Sequence, residues 1–289
     1  MPTKRSEFVQ TIRAQWLGQR MRELRDQRGL TLKYVAAYLG VEFSTLARYE
    51  RAEWPFRRDH VMSLLDVYGV YDERERNQLV QLAQDAWRVN KWDEDFEGAV
   101  YDSSFVDYPW LESRAEEICA YSTMIVPGLL QTAGYAETMI RHFEGSMAAE
   151  HRVQKWLHLR MDRQKVLADK DTRLTAILEE SVLRRPVGNR AVLRGQLEHL
   201  REISRRPQID IRIVPTNSGI HAGALGTFFL FRMPVPYPPV AYVEHLAGRL
   251  FIEAASAERY EKAYASLREA ALSDSESVAL IATLVEELS

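Results

Sequence analysis

The chain reads as an α+β protein: an N-terminal all-α, five-helix domain built around a helix-turn-helix, then an α+β domain with a mainly antiparallel sheet flanked by helices. Three observations predict this. Two short helical patterns meet at Gly40-Val41. The hydrophobic period stays near 3.6 until about residue 167 and then changes to about 2 in a series of later segments. With 289 residues, 46% of them hydrophobic, the chain can bury two separate cores.

In the first pattern, Thr31 offers a hydroxyl N-cap, and Val35, Ala36 and Leu39 share one helical face. Gly40 suits the left-handed backbone of a sharp turn. From Glu42 to Glu50 only Leu46 and Tyr49 point inward, which leaves a polar outer face. A helix anchored on one side and free on the other is what entry into a DNA major groove requires. Around this pair, a first helix from Glu7 to Arg28 turns Leu17, Met21 and Leu24 inward and carries five arginines. A fourth uses Val61, Leu64, Leu65 and Tyr68. A fifth opens at Asp72, with Glu75 at capping-box spacing and a stripe of Leu79, Leu82, Ala83 and Ala86. The arginine-bearing loop Trp54–Arg58 precedes the fourth helix.

Charge follows the same division. Residues 1–71 balance to +4, residues 72–120 to −8 and residues 121–289 to +1, giving −3 overall. The positive charge therefore lies with the helix-turn-helix, where phosphate neutralisation needs it. Residues 1–71 are assigned to DNA binding and 72–109 to a helix and an acidic, aromatic connector. Residues 91–109 lack a helical period and carry Phe96, Tyr101, Phe105 and Tyr108. They fit either a packed connector or an acidic strap over the basic module.

Residues 110–289 form the α+β regulatory domain. Leu111–Tyr121 reads as a helix that buries the lone cysteine, Cys119. A turn at 127–132 leads into a helix from Ala133 to His142, and a basic helix follows from Glu150 to Leu167. Strands are expected at 173–178, 209–214, 227–231, 240–244 and 249–253, with a helix through Leu193, Leu197 and Leu200 between the first two. Two helices finish the chain, one capped at Ser256 and one by the box Ser273-Asp-Ser-Glu276. A single cysteine excludes an internal disulfide and a cysteine-based metal cluster. With no apolar run near eighteen residues and a charged start, the expected location is cytoplasmic and nucleoid-associated, without a membrane.

Gly29-Leu30-Thr31, Val35-Ala36, Leu39-Gly40-Val41, Ser44, Leu46, Arg48 and Tyr49-Glu50 resemble the XRE, or Cro-like, helix-turn-helix family of transcription regulators. The resemblance implies an ion pair between Arg25 and Glu50 that ties the first helix to the reading helix. It also exposes departures: Leu32 stands where a phosphate-binding glutamine is common, Glu42 replaces a Ser/Thr cap, and Ala47 cannot bond a base. Further on, Tyr121-Ser122, Val126–Thr132, Arg160, Arg163-Gln164, Glu179, Leu183–Gly188, Val214-Pro215 and Tyr242–Glu244 resemble the C-terminal domain of actinobacterial WhiJ-like regulators. That resemblance implies gene control through a small partner protein encoded nearby, in an antitoxin-like arrangement.

On these grounds Phe43, Ser44 and Arg48, with Glu42 beside them, are expected at base edges. Lys33, Thr45, Arg51 and Arg58 are expected on phosphates. Arg160, Gln164, Glu179, Arg184 and Arg185 are the candidates for effector or partner binding, with helix-to-sheet ion pairing as their alternative role. Glu179, Glu180, His221, Glu244 and His245 are the best material for catalysis. No nucleophile elbow, HExxH, P-loop or dinucleotide fingerprint accompanies them, so no enzyme, metal or cofactor is expected. The reading is a homodimeric repressor of a near-palindromic double-stranded operator. The alternative is an antitoxin-like protein whose main role is neutralising a small partner.

Overall fold

A computed structural model describes residues 11–87, 107–145, 149–168, 172–235, 237–246, 248–253 and 256–288. They separate into two compact units, one ending at Trp110 and the other starting at Leu111.

The first unit contains α1 (Ile12–Gln27), α2 (Leu32–Leu39), α3 (Phe43–Glu50), α4 (Arg58–Val67) and α5 (Glu73–Trp87). The expected inward residues Leu17, Met21, Leu24, Val35, Leu46, Val61, Leu64, Leu65, Leu79 and Leu82 are all buried. Thr11 caps α1, its hydroxyl accepting from the Ala14 N–H. Residues 1–10 and 88–106 lie outside the described residues, and with them most of the acidic connector. Its last residues belong to the helical core. Asp107 accepts from the Ile12 N–H at 2.9 Å, and the Trp110 indole donates to Asp85 at 3.2 Å. Trp110 also meets Trp16 edge-to-face, with ring centroids 5.8 Å apart. These residues start α6 (Asp107–Arg114).

The second unit is built on one six-stranded sheet: β1 (Glu117–Ser122), β2 (Arg173–Glu179), β3 (Ile209–Val214), β4 (Phe228–Arg232), β5 (Val240–His245) and β6 (Gly248–Glu253), in the order β3-β2-β1-β4-β5-β6. The last three strands, β4-β5-β6, are antiparallel as expected; β1 adds to them antiparallel to β4, while β1-β2 and β2-β3 run parallel. Parallel neighbours need long crossovers, here α7 (Ala133–Glu144) with α8 (Glu150–Arg163), then α9 (Glu180–Arg184) with α10 (Arg190–Ile203). The chain ends in α11 (Glu258–Ala270) and α12 (Asp274–Glu287), the latter opened by the expected capping box at Ser273. Ala257, not Ser256, is the N-cap of α11.

One sequence expectation fails in an instructive way. Residues 117–121 are not helical but form β1, the strand that joins the parallel half of the sheet to the antiparallel half. Five of its six residues are buried, so it shows no polar/apolar alternation. Cys119 is thus a sheet residue, fully buried, and burial pushes its thiol up to about 12. The folded protein is expected to resist thiol reagents and to label at the rate of global unfolding. Rapid stoichiometric labelling of native protein would contradict this placement.

Candidate nucleic-acid interface

The helix-turn-helix is assembled by local chemistry. The Thr31 hydroxyl accepts from the Tyr34 N–H at 3.2 Å and starts α2. Gly40 ends it with φ of 67°, and the Val41 N–H reaches back to the Ala36 carbonyl at 3.0 Å. The reading helix α3 follows at once. Glu42 is its N-cap but makes no side-chain cap bond, so the carboxylate is left exposed beside the helix start.

Three features fix α3 against α1. Leu46 and Tyr49 are buried at 0% and 5% exposure. Gly18 brings the two backbones together: a Cβ there would lie 2.8 Å from the Tyr49 carbonyl oxygen and 2.9 Å from that of Glu50. The ion pair implied by the family resemblance is present and bidentate. Arg25 Nε and Nη2 donate to the two Glu50 oxygens at 2.6 and 2.8 Å, and both side chains are nearly shut off from solvent. Arg25 Nη1 also donates to the Leu30 carbonyl at 2.9 Å, so one guanidinium locks α1, α3 and the turn before α2. The hydrogen bond to Glu50 holds the Arg25 guanidinium above its ordinary range despite burial.

The opposite face of α3 is bare. Phe43 is 54% exposed, Ser44 and Arg48 are exposed, and Thr45 is half-buried. Ala47 faces inward, so its inability to bond a base does not weaken this face. Lys33 and Arg58 are exposed. Arg51 makes an exposed pair with Glu53 at 2.6 Å. The Arg51 hydrogen bond, helped by the charges of Arg51 and Arg48, holds the Glu53 carboxyl below its usual range. An exposed, solvent-screened pair of this kind is weak and is readily exchanged for a phosphate. Tyr34 and Tyr38, absent from the expected set, are 57% and 53% exposed on α2. Their spacing of one turn, off the Val35–Ala36–Leu39 stripe, is the signal that would have found them.

The five regulatory-domain candidates do not converge on one site. Arg160 donates to the Gln131 side chain at 3.1 Å, and Gln164 to the Gly128 and Gln131 carbonyls at 2.9 and 2.7 Å. These two clamp the turn before α7. Glu179, at the end of β2, accepts from the Tyr121 hydroxyl at 2.6 Å and lies 3.4 Å from His221 Nε2. Gly223 is required beside them, since a Cβ there would fall 2.1 Å from the Tyr121 oxygen. Arg184 pairs with Glu180 and Glu287 on the surface, while Arg185 points at Met124 sulfur, 3.5 Å away. Among the described residues no cluster of His, Cys, Asp or Glu could hold a metal ion, and no helix is long and apolar enough to cross a membrane.

A short helix with a free outer face, pinned to a helical scaffold, defines a DNA-binding helix-turn-helix protein, and residues 16–79 match the family model described as a helix-turn-helix domain. Residues 105–283 match the model described as a domain of unknown function, DUF5753; that match takes in more than half of the chain, which belongs to this family. No curated protein and no solved structure matches the chain.

Proposed function

We propose that the protein is a homodimeric, sequence-specific transcription repressor of the XRE type, with the second unit as its regulatory half. The observation that carries this reading is the free outer face of α3, with Phe43, Ser44 and Arg48 exposed while Leu46 and Tyr49 anchor the helix. Arg48 would bond guanine, Phe43 would meet thymine methyls, and Glu42 would accept from a cytosine amino group. Lys33, Thr45, Arg51 and Arg58 would hold phosphates, with the hydroxyls of Tyr34 and Tyr38 as further donors. Two copies would present their α3 helices about 34 Å apart, or a multiple of that, to a near-palindrome.

Control by a small protein encoded nearby, of the WhiJ-like and antitoxin-like kind, rests on the sequence resemblance of the second unit. Arg160, Gln164, Glu179, Arg184 and Arg185 are the residues it nominates. Of these, Arg184 is the exposed one and Arg160 and Gln164 brace a turn. Exposure therefore favours Arg184 as a partner contact and a bracing role for the other two.

Mobility shift on the DNA upstream of the protein's own gene tests the reading. Binding should weaken steeply with salt, log K falling by about 0.9 per phosphate contact for each unit of log salt. Phe43→Ala should weaken binding and leave the melting temperature unchanged. Absence of any shift at low salt would refute DNA binding and leave the partner-neutralising role as the main one.

A further inference from the structure

The carboxyl ends of the parallel strands β1, β2 and β3 lie on one side of the sheet, the side where open α/β sheets place their ligands. The segment that leaves β3 and returns to β4, residues 215–227, covers that side and is held there by named contacts. Its single helical turn, Ala222–Leu225, packs on α11. His221 opens the turn: its Nδ1 accepts from the Gly223 N–H at 3.3 Å, while its Nε2 faces Glu179 at 3.4 Å. The Thr227 hydroxyl accepts from the Thr123 N–H at 3.1 Å, and the Glu180 carboxylate accepts from the Thr216 N–H at 3.1 Å.

This braced loop turns two aliphatic side chains into water. Ile220 is 94% exposed and Leu225 wholly so. Met124, 52% exposed, follows Thr123, the residue bonded to Thr227, and so belongs to the same end of the sheet. Beside it stands Arg185. Its Nη2 donates to the Met124 sulfur at 3.5 Å, a weak acceptor, and its buried Nε donates to nothing among the described residues. Arg184, next in the chain, is already occupied by Glu180 and Glu287. A half-buried guanidinium answered by a thioether gains most from an arriving carboxylate, which can bond two of its N–H groups at once. Single apolar residues on a soft loop mean little. Three of them around one braced sheet end, beside a cation without a carboxylate, make a preordered contact that loses little entropy when covered.

We propose that Ile220, Leu225 and Met124 with Arg185 form the surface on which the second unit receives its regulatory partner, a protein segment that sets a carboxylate beside apolar side chains. The inference rests on the partner-control reading and names its contact surface. Chemistry selects a protein over the other macromolecules. Nucleic acid and an anionic membrane would each be met by several cations. Here a single guanidinium stands among aliphatic groups that need apolar cover.

The test uses the full-length chain as bait for random peptides displayed on phage. Enriched sequences should set Asp or Glu beside apolar residues, and a synthetic peptide of such a sequence should bind in fluorescence polarisation. Arg185→Gln should weaken that binding about tenfold, the loss of a charge-assisted bond. Ile220→Ser with Leu225→Ser should weaken it at least as much and leave the melting temperature unchanged, because both side chains already lie in water. Replacing the peptide's acid by its amide should cost about tenfold against the wild type and nothing further against Arg185→Gln, the mark of a direct pair. Peptides that bind wild type and variants alike would overturn this surface and leave partner control to another. The absence of any enriched sequence would overturn partner control with it. Should Ile220→Ser with Leu225→Ser instead turn a dimer into a monomer in sedimentation equilibrium, the face is a seam between copies and the proposal falls.

Discussion

Replacing Arg25 by alanine should destabilise the first unit by about 3–5 kcal/mol, the cost of leaving one member of a buried pair without its partner. The reason is Glu50, whose carboxylate has only 4% of its side-chain surface in water and would lose the two bonds from Arg25. The Leu30 carbonyl loses its donor in the same change. Because Glu50 is the last residue of α3, the loss falls on the seating of the reading helix, and DNA affinity should fall with stability. Replacing both members with apolar residues, Arg25→Met with Glu50→Leu, should cost much less, since no orphaned charge remains. Denaturant unfolding of the two variants decides this. A loss under 1 kcal/mol for Arg25→Ala would show that the pair is not a structural lock.

The second large effect is expected from Glu112→Ala. Glu112 receives both Nε and Nη2 of Arg163 at 2.7 Å, with only 3% and 12% of the respective side chains exposed. The pair ties α6 to the end of α8, next to Arg160 and Gln164 and the turn they hold. Removing the carboxylate takes from a shielded guanidinium its bidentate partner, again at a cost of about 3–5 kcal/mol. The second unit should therefore melt earlier, with Cys119 labelling faster, because that thiol is reached only when the sheet opens. Arg163→Ala should produce the same loss from the other side. Unchanged Cys119 labelling in both variants would contradict the structural role of the pair.

The helix-turn-helix is legible in the sequence because every feature that forms it is local. Thr31 caps, Gly40 turns, and Leu46 with Tyr49 set a helical stripe within nine residues. The contacts that aim the reading helix are less local, and Arg25–Glu50 was reachable only through resemblance to a family. In the second unit the strands with alternating or β-branched patterns are legible, as in Ile209–Val214. β1 is not, because Ile118 to Ser122 are buried together and a uniformly buried run of this length has no period to read. The Tyr121–Glu179–His221 grouping is equally invisible, since strand pairing brings together residues 58 apart in the chain. Arg160 and Gln164 hold one turn while Glu179 and Arg184 bond elsewhere, so belonging to one resemblance did not translate into a shared site.

The outer face of α3 is proposed to read base sequence. Enrichment of randomised duplexes by the wild-type protein and by Arg48→Ala tests it most directly. A near-palindromic site is expected for the wild type. In Arg48→Ala, selectivity should be lost at one symmetric guanine position, with affinity lower by about 1–3 kcal/mol. The same sequence enriched equally by both proteins, or none enriched by either, would contradict it.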